Sequence, residues 1–273
     1  MTSVERVISY TRIEQEPGYR NHLQPPENWP ERGQVKIEKL GLVYYQGGPK
    51  ILKDISFDIE QYEKIGIVGR TGAGKSSLVS ALFRMPDPSG DVIIDDVKIK
   101  DINIQCSRRA MSVITQNPVL FTGSMRMNLD PFDEHSDKEL WDALESANLK
   151  DMVAMLPRQL GEEIKACGAN FSVGERQLLC LARALLKKNK IIVMDEATAN
   201  VDYKTDQLIQ KTIRSKFKHC TVITIAHRLN TVMDYDKVLV LDNGQVVEYD
   251  KPQTLLQNEG GKFSRIYRGY INR

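Results

Sequence analysis

Gly69-Arg70-Thr71-Gly72-Ala73-Gly74-Lys75-Ser76 is the stretch on which the reading of this chain turns. It follows the spacing G-x-x-x-x-G-K-[ST]. Glycines at those positions let successive backbone N–H groups curl around phosphate oxygens, and the loop feeds a helix N-terminus whose dipole favours an anion. Lys75 supplies a mobile positive charge that reaches the β- and γ-phosphates of a nucleotide, and the Ser76 hydroxyl is placed to coordinate the Mg²⁺ that bridges them. Arg70, Thr71, Ala73 and Ser77 complete the cradle. The apolar run Ile65-Gly66-Ile67-Val68 leads into the loop as a buried strand. Lys75 to Met85 is expected to continue as a helix that stops before Pro86 and Pro88. Strand, loop and helix form the context that the spacing requires.

A second buried strand, Ile191-Ile192-Val193-Met194, ends in Asp195-Glu196. A carboxylate at the C-terminal end of a strand lies at the crevice where α/β sheets bind nucleotides. Asp195 is therefore assigned to the Mg²⁺ shell, and Glu196 to orienting or deprotonating the attacking water. Further apolar strands are expected at Thr221 to Ile225 and Val238 to Leu241, the alternation of a parallel sheet. Val35 to Tyr44 and Ile55 to Ile59 partly alternate around a turn at 46–49, which indicates an antiparallel lobe. Leu140, Trp141, Leu144, Ala147 and Leu149 share one helical face in a helix-rich region at about 124–186, expected to form a helical subdomain.

The chain has 273 residues, 41% hydrophobic and 27% charged, enough for a sizeable core. Lysine plus arginine number 38 against 36 acids, so no large positive field points to nucleic acid. Cys106, Cys167, Cys180 and Cys220 form no C-x-x-C pair and read as reduced cytosolic thiols. No run approaches the ~18–20 apolar residues of a membrane span, and no signal peptide is evident. Residues 1–33, with Pro17, Pro25, Pro26 and Pro30, suit an extended linker, and the folded domain is expected to begin near Gln34.

Asn170-Phe171-Ser172-Val173-Gly174-Glu175 resembles the signature segment of ATP-binding cassette (ABC) ATPases; on its residues alone it reads as an N-capped helix, with Ser172 the cap. Gln116, in Thr-Gln-Asn-Pro, is similar to the glutamine that in this family contacts Mg²⁺ and water. Ala199-Asn200-Val201-Asp202 is similar to the D-loop, and His227 to the switch histidine that touches the γ-phosphate. Tyr44 is similar to the aromatic that stacks on adenine, with Tyr45 competing because alternation puts only one of them over the ring. Residues 66–77, 118–123, 128–132 and 195–202 together resemble the second nucleotide-binding domain of a C-subfamily ABC exporter, of the multidrug-resistance-associated group.

That resemblance implies a P-loop ATPase of the ABC fold with an antiparallel β lobe and a helical subdomain, using ATP and Mg²⁺. It implies a head-to-tail partner cassette, whose site Ser172 and Gly174 would complete. It also implies transmembrane domains joined through residues 1–33, a place on the cytoplasmic face of a membrane, expected to be the plasma membrane, and outward movement of organic anions. Val173, Glu175, Asn200 and Val201 depart from the usual pattern, and Glu175 puts negative charge where phosphates should meet a helix end. Two other classes compete: a soluble cassette for DNA repair or translation, and a module that binds ATP without turnover. The compact 97-residue spacing of Lys75 and Ser172 argues against the first, and Glu196 with His227 against the second.

Overall fold

The computed structural model describes residues 2–197, 201–226 and 228–271. It opens with α1 (Ser3–Thr11), followed by β1 (Val35–Leu42), β2 (Leu52–Ile59), β3 (Lys64–Val68), α2 (Lys75–Leu82), β4 (Ser89–Ile94), β5 (Val97–Lys98), α3 (Ile104–Arg109) and β6 (Met111–Ile114). The middle of the chain holds β7 (Gly123–Ser124), α4 (Met125–Leu129), α5 (Asp137–Ser146), α6 (Lys150–Met155), β8 (Glu163–Ile164) and α7 (Val173–Lys187). It closes with β9 (Ile191–Asp195), α8 (Tyr203–Lys216), β10 (Thr221–Ile225), α9 (Leu229–Val232), β11 (Lys237–Asp242), β12 (Gln245–Asp250), α10 (Pro252–Gln257) and α11 (Lys262–Ile271).

Six strands form the central sheet in the order β12-β11-β3-β10-β9-β6. All neighbours run parallel except the edge pair of β11 and β12. Residues 191–194 of β9 and 222, 223 and 225 of β10 are buried to 2% exposure or less, so both faces are covered. That explains their unbroken apolar runs: a parallel sheet flanked by helices leaves no solvent face to alternate. A second sheet, β2-β1-β4-β5, is antiparallel, and its partly alternating pattern matches one buried and one open face.

The helix after the glycine loop ends at Leu82, short of the expected Met85. Arg84 adopts a left-handed backbone with φ +56°, and the Met85 N–H reaches back to the Ser80 carbonyl at 2.8 Å, a C-terminal cap that closes the helix early. Arg108 then covers that end, donating to the Phe83 carbonyl at 3.0 Å and the Arg84 carbonyl at 3.2 Å.

The stretch before Gln34 differs from the expected plain linker. Thr2 and Glu5 form a capping box that starts α1, all of whose described residues are exposed. From Glu16 onward the chain is extended but bonded to the domain along its length. Arg108 clasps Glu16 through two contacts of 2.8 Å, buried Arg84 donates to the Pro17 carbonyl at 3.1 Å, and Trp29 Nε1 donates to the Ile94 carbonyl at 2.8 Å. Asp95 accepts from three successive backbone N–H groups, at residues 32, 33 and 34. Prolines keep this strap extended, so its polar backbone finds partners in the domain instead of in secondary structure of its own. No helix among the described residues is long and apolar enough to cross a membrane.

Candidate nucleotide site

Parallel registry brings the candidate residues to one edge of the central sheet. Ile67, Ile225 and Asp195 lie on one rung of β3, β10 and β9, and Ile114 of β6 pairs with Met194 one rung earlier. The glycine loop, Glu196, Ala226 and Gln116 therefore all follow strands that finish together. Gln116 and Glu196 each lie two residues beyond that last paired rung of β6 and β9. This is the crevice outside the strand ends where α/β sheets bind ligands.

Gly74 is the N-cap of α2 with φ +105°, a conformation open to glycine at little cost, and a Cβ there would approach Leu52 at 3.0 Å. At Gly69 a Cβ would lie 2.4 Å from the Leu241 carbonyl oxygen, so that position is held by close approach of two backbones. Lys75 folds over the loop and donates to the carbonyls of Gly69 at 3.0 Å and Arg70 at 3.1 Å. These are neutral acceptors, which a phosphate would replace with a stronger, charge-assisted partner.

Lys75 lines a cleft of about 520 Å³ with Gly69, Arg70, Thr71 and Glu196. Its far wall is α11, which contributes Lys262, Arg265, Ile266, Gly269 and Tyr270. Sequence reasoning missed these residues. Nothing in the order of the chain relates them to the loop about 190 positions earlier, and no local motif marks them. Lys262 is paired with Asp242 at 2.6 Å.

Glu196 has a left-handed backbone, φ +48°, uncommon for a residue with a Cβ, and its N–H bonds the Ile225 carbonyl at 3.2 Å. Backbone strain of this kind collects at functional sites. Beside it, the pKa of Asp195 is pushed up, first by burial and then by the negative charge of Glu196; a hydrogen bond from Ser76 and the charge of Lys75 act in the opposite direction. A hydroxyl and an under-neutralised carboxylate are hard oxygen donors and fit Mg²⁺, which takes few protein ligands and completes its shell with phosphate and water. No group of three or more His, Cys, Asp or Glu that could hold a metal occurs among the described residues.

A raised carboxylate pKa means that the folded state binds the proton more tightly than the unfolded chain. The cost is therefore present in full above the folded pKa and disappears as pH falls below the unfolded value. Asp195→Asn is expected to raise the melting midpoint of the nucleotide-free protein by about 1–3 °C at pH 7.5. The gain should vanish in acid, and Mg²⁺-dependent ATP binding should weaken. Calorimetry at several pH values checks this, and an unchanged or lowered midpoint at pH 7.5 counts against it.

Tyr44, and not Tyr45, is joined to the loop helix: its hydroxyl lies 2.9 Å from Ser77 Oγ, and its ring is half exposed. Tyr45 turns to the hairpin instead, where its carbonyl accepts from the Gly48 N–H at 2.9 Å.

Ser172 is the N-cap of α7. Its hydroxyl accepts from the Glu175 N–H at 3.2 Å, and the Glu175 carboxylate accepts from the Ser172 N–H at 2.7 Å, a reciprocal capping box. The unusual acid at 175 is thereby engaged in starting the helix. Gly174 abuts Thr205, whose hydroxyl would lie 3.0 Å from an added Cβ, and Asp202 caps α8 through the same Thr205, at 3.0 Å to its N–H and 2.7 Å to its hydroxyl. Those hydrogen bonds hold the Asp202 carboxyl below its ordinary pKa. Gln177, buried in α7, donates to the Thr115 carbonyl at 3.1 Å and so ties this helix to the loop of Gln116. Ser172, Gly174 and Asp202 form one cluster, and none of them lines the cleft of Lys75. His227, Ala199 and Asn200 lie outside the described residues.

Residues 52–199 match the family described as ABC transporter. The chain is 54% identical over 266 residues to human ATP-binding cassette sub-family C member 4, covering 97% of this chain and 20% of that protein. It is 51% identical over 276 residues to the probable multidrug resistance-associated protein lethal(2)03659 of Drosophila melanogaster, covering 100% and 20%. It is also 51% identical over 261 residues to human ATP-binding cassette sub-family C member 2, covering 95% and 17%. It thus spans about a fifth of the length of these curated relatives. Among solved structures, a bacterial Atm1-family ABC exporter with ATP bound superposes with a TM-score of 0.88 at 31% identity, over 97% of this chain and 46% of that one. With the loop, the strand-end acids and the capped signature helix all carried on such a fold, the chain belongs to the ABC transporter family, within its C subfamily.

Proposed function

We propose that this chain is the second nucleotide-binding domain of an exporter that hydrolyses ATP to drive organic anions outward across a membrane. The observation that carries the reading is the position of Glu196, one residue beyond Asp195 and on the wall of the glycine-loop cleft. Lys75 and the loop N–H groups bind the phosphates, Tyr44 stacks on the adenine, and Glu196 accepts the proton of the attacking water. Ser76, Asp195 and Gln116 would hold Mg²⁺, which when bound neutralises charge on the bridging phosphate oxygens. His227 is assigned contact with the γ-phosphate.

Ser172 and Gly174, at the capped N-terminus of α7, are assigned to the ATP of a second cassette that closes head to tail, with Asp202 beside them at the cap of α8. Residues 1–33 are read as the connection to transmembrane domains, with the cassette on the cytoplasmic face, at the plasma membrane. In inside-out vesicles carrying the intact transporter, an organic-anion conjugate should accumulate with Mg·ATP and not with a non-hydrolysable analogue. Equal accumulation with both nucleotides would refute the coupling.

A further inference from the structure

Glu196 stands between two spaces. It lines the phosphate cleft on one side, and with Ala226 it also lines an inner cavity of about 20 Å³ bounded by Gln210, Thr224, Arg228 and Thr231. One water needs roughly 10–15 Å³ and two to four polar partners, so this cavity has room for a single molecule. Most of its polar groups are already engaged. Thr224 Oγ1 lies 3.1 Å from Tyr235 Oη, and Arg228 donates to Asp206 at 2.9 Å and to the Val201 carbonyl at 3.4 Å. Gln210 Oε1 is different: it is buried and accepts no hydrogen bond among the described residues. Such a buried acceptor calls for a donor, and water is the donor that a space of this size admits. Gln210 and Thr231 also line a groove of about 630 Å³ that opens to solvent over α8 and α9. Cleft, Glu196, inner cavity, Gln210 and groove therefore follow one another through the domain.

We propose that Gln210 is a positioning residue for Glu196, holding one buried water behind it that passes the proton of catalysis out to the groove. This rests on the reading of Glu196 as general base. As the oxygen of the attacking water bonds to the γ-phosphorus, its O–H bond breaks and the proton moves to the Glu196 carboxylate. Glu196 then gives a proton to the cavity water, which releases one of its own to solvent in the groove. Glu196 returns to its charged form and the cavity water is unchanged. A partner cassette that covers the cleft blocks the front exit, whereas the groove opens behind Glu196, over α8 and α9.

The test compares Gln210→Leu, which keeps the volume and removes the acceptor, with Gln210→Glu, which restores an acceptor, in the intact transporter. Gln210→Leu should lower kcat for ATP about ten- to a hundredfold with KM unchanged, the scale of a misplaced catalytic group. It should also enlarge the solvent deuterium isotope effect on kcat, and Gln210→Glu should recover most of the rate. If leucine does not fold at this position, Gln210→Met makes the same comparison. A Gln210→Leu protein with the parent's kcat and isotope effect overturns the proposal, as does a loss shared by kcat and KM that glutamate does not rescue. Glu196→Gln measured alongside separates the two ideas: if it still turns over, the base assignment fails, and if it is inactive while Gln210→Leu is normal, only the relay fails.

Discussion

Glu196→Gln is expected to keep Mg·ATP binding within about twofold while lowering steady-state turnover by roughly 10²–10⁴, the usual contribution of a general base. The substitution removes a charge and leaves size and backbone demand nearly unchanged. The strained φ of +48° and the N–H bond to Ile225 therefore persist, and the fold has no reason to move. Removing a negative charge from the wall of the phosphate cleft also reduces repulsion toward ATP. The result should be a protein that loads nucleotide and stays loaded, trapped in the closed dimer. Nucleotide-trapping and single-turnover assays measure both halves of this, and turnover within tenfold of the parent would remove Glu196 from the role of base.

Lys75→Ala should act on binding instead. In the free protein, Lys75 makes two hydrogen bonds to carbonyls of its own loop, each worth on the order of 1 kcal/mol, so stability should fall only modestly. Against triphosphate, the same ammonium is a fixed counter-charge, and truncating one member of a charged, hydrogen-bonded pair costs roughly 2–5 kcal/mol. ATP affinity should therefore drop by at least about 30-fold. Equilibrium nucleotide binding, set beside the melting curve, separates the two effects. A protein that melts like the parent and still binds ATP tightly would show that the loop N–H groups suffice without the lysine.

What could be read in the sequence was local and unbroken. The strand into Gly69, the loop itself and the run into Asp195 each carry their pattern within about a dozen residues, because a buried parallel strand has no solvent face to interrupt it. Alternation offered Tyr44 or Tyr45 as the aromatic near the loop, and in the fold it is Tyr44 whose hydroxyl meets Ser77. The Thr2-x-x-Glu5 box is written in the sequence, but the prolines that follow give the segment the composition of a linker. Contacts made across great sequence distance left no trace at all. Arg108 on Glu16, Gln177 on Thr115 and the α11 wall of the cleft are joined by folding alone.

The early-ending α2 is a short rigid rod, eight residues and about 12 Å long. The glycine loop lies at one end of it. At the other, Arg84 and Arg108 grip Pro17 and Glu16 of the strap. The stretch that looked like slack tether is clamped to the far end of the helix that follows the glycine loop, so a strap pulled loose there would leave Arg84 and Arg108 without those partners.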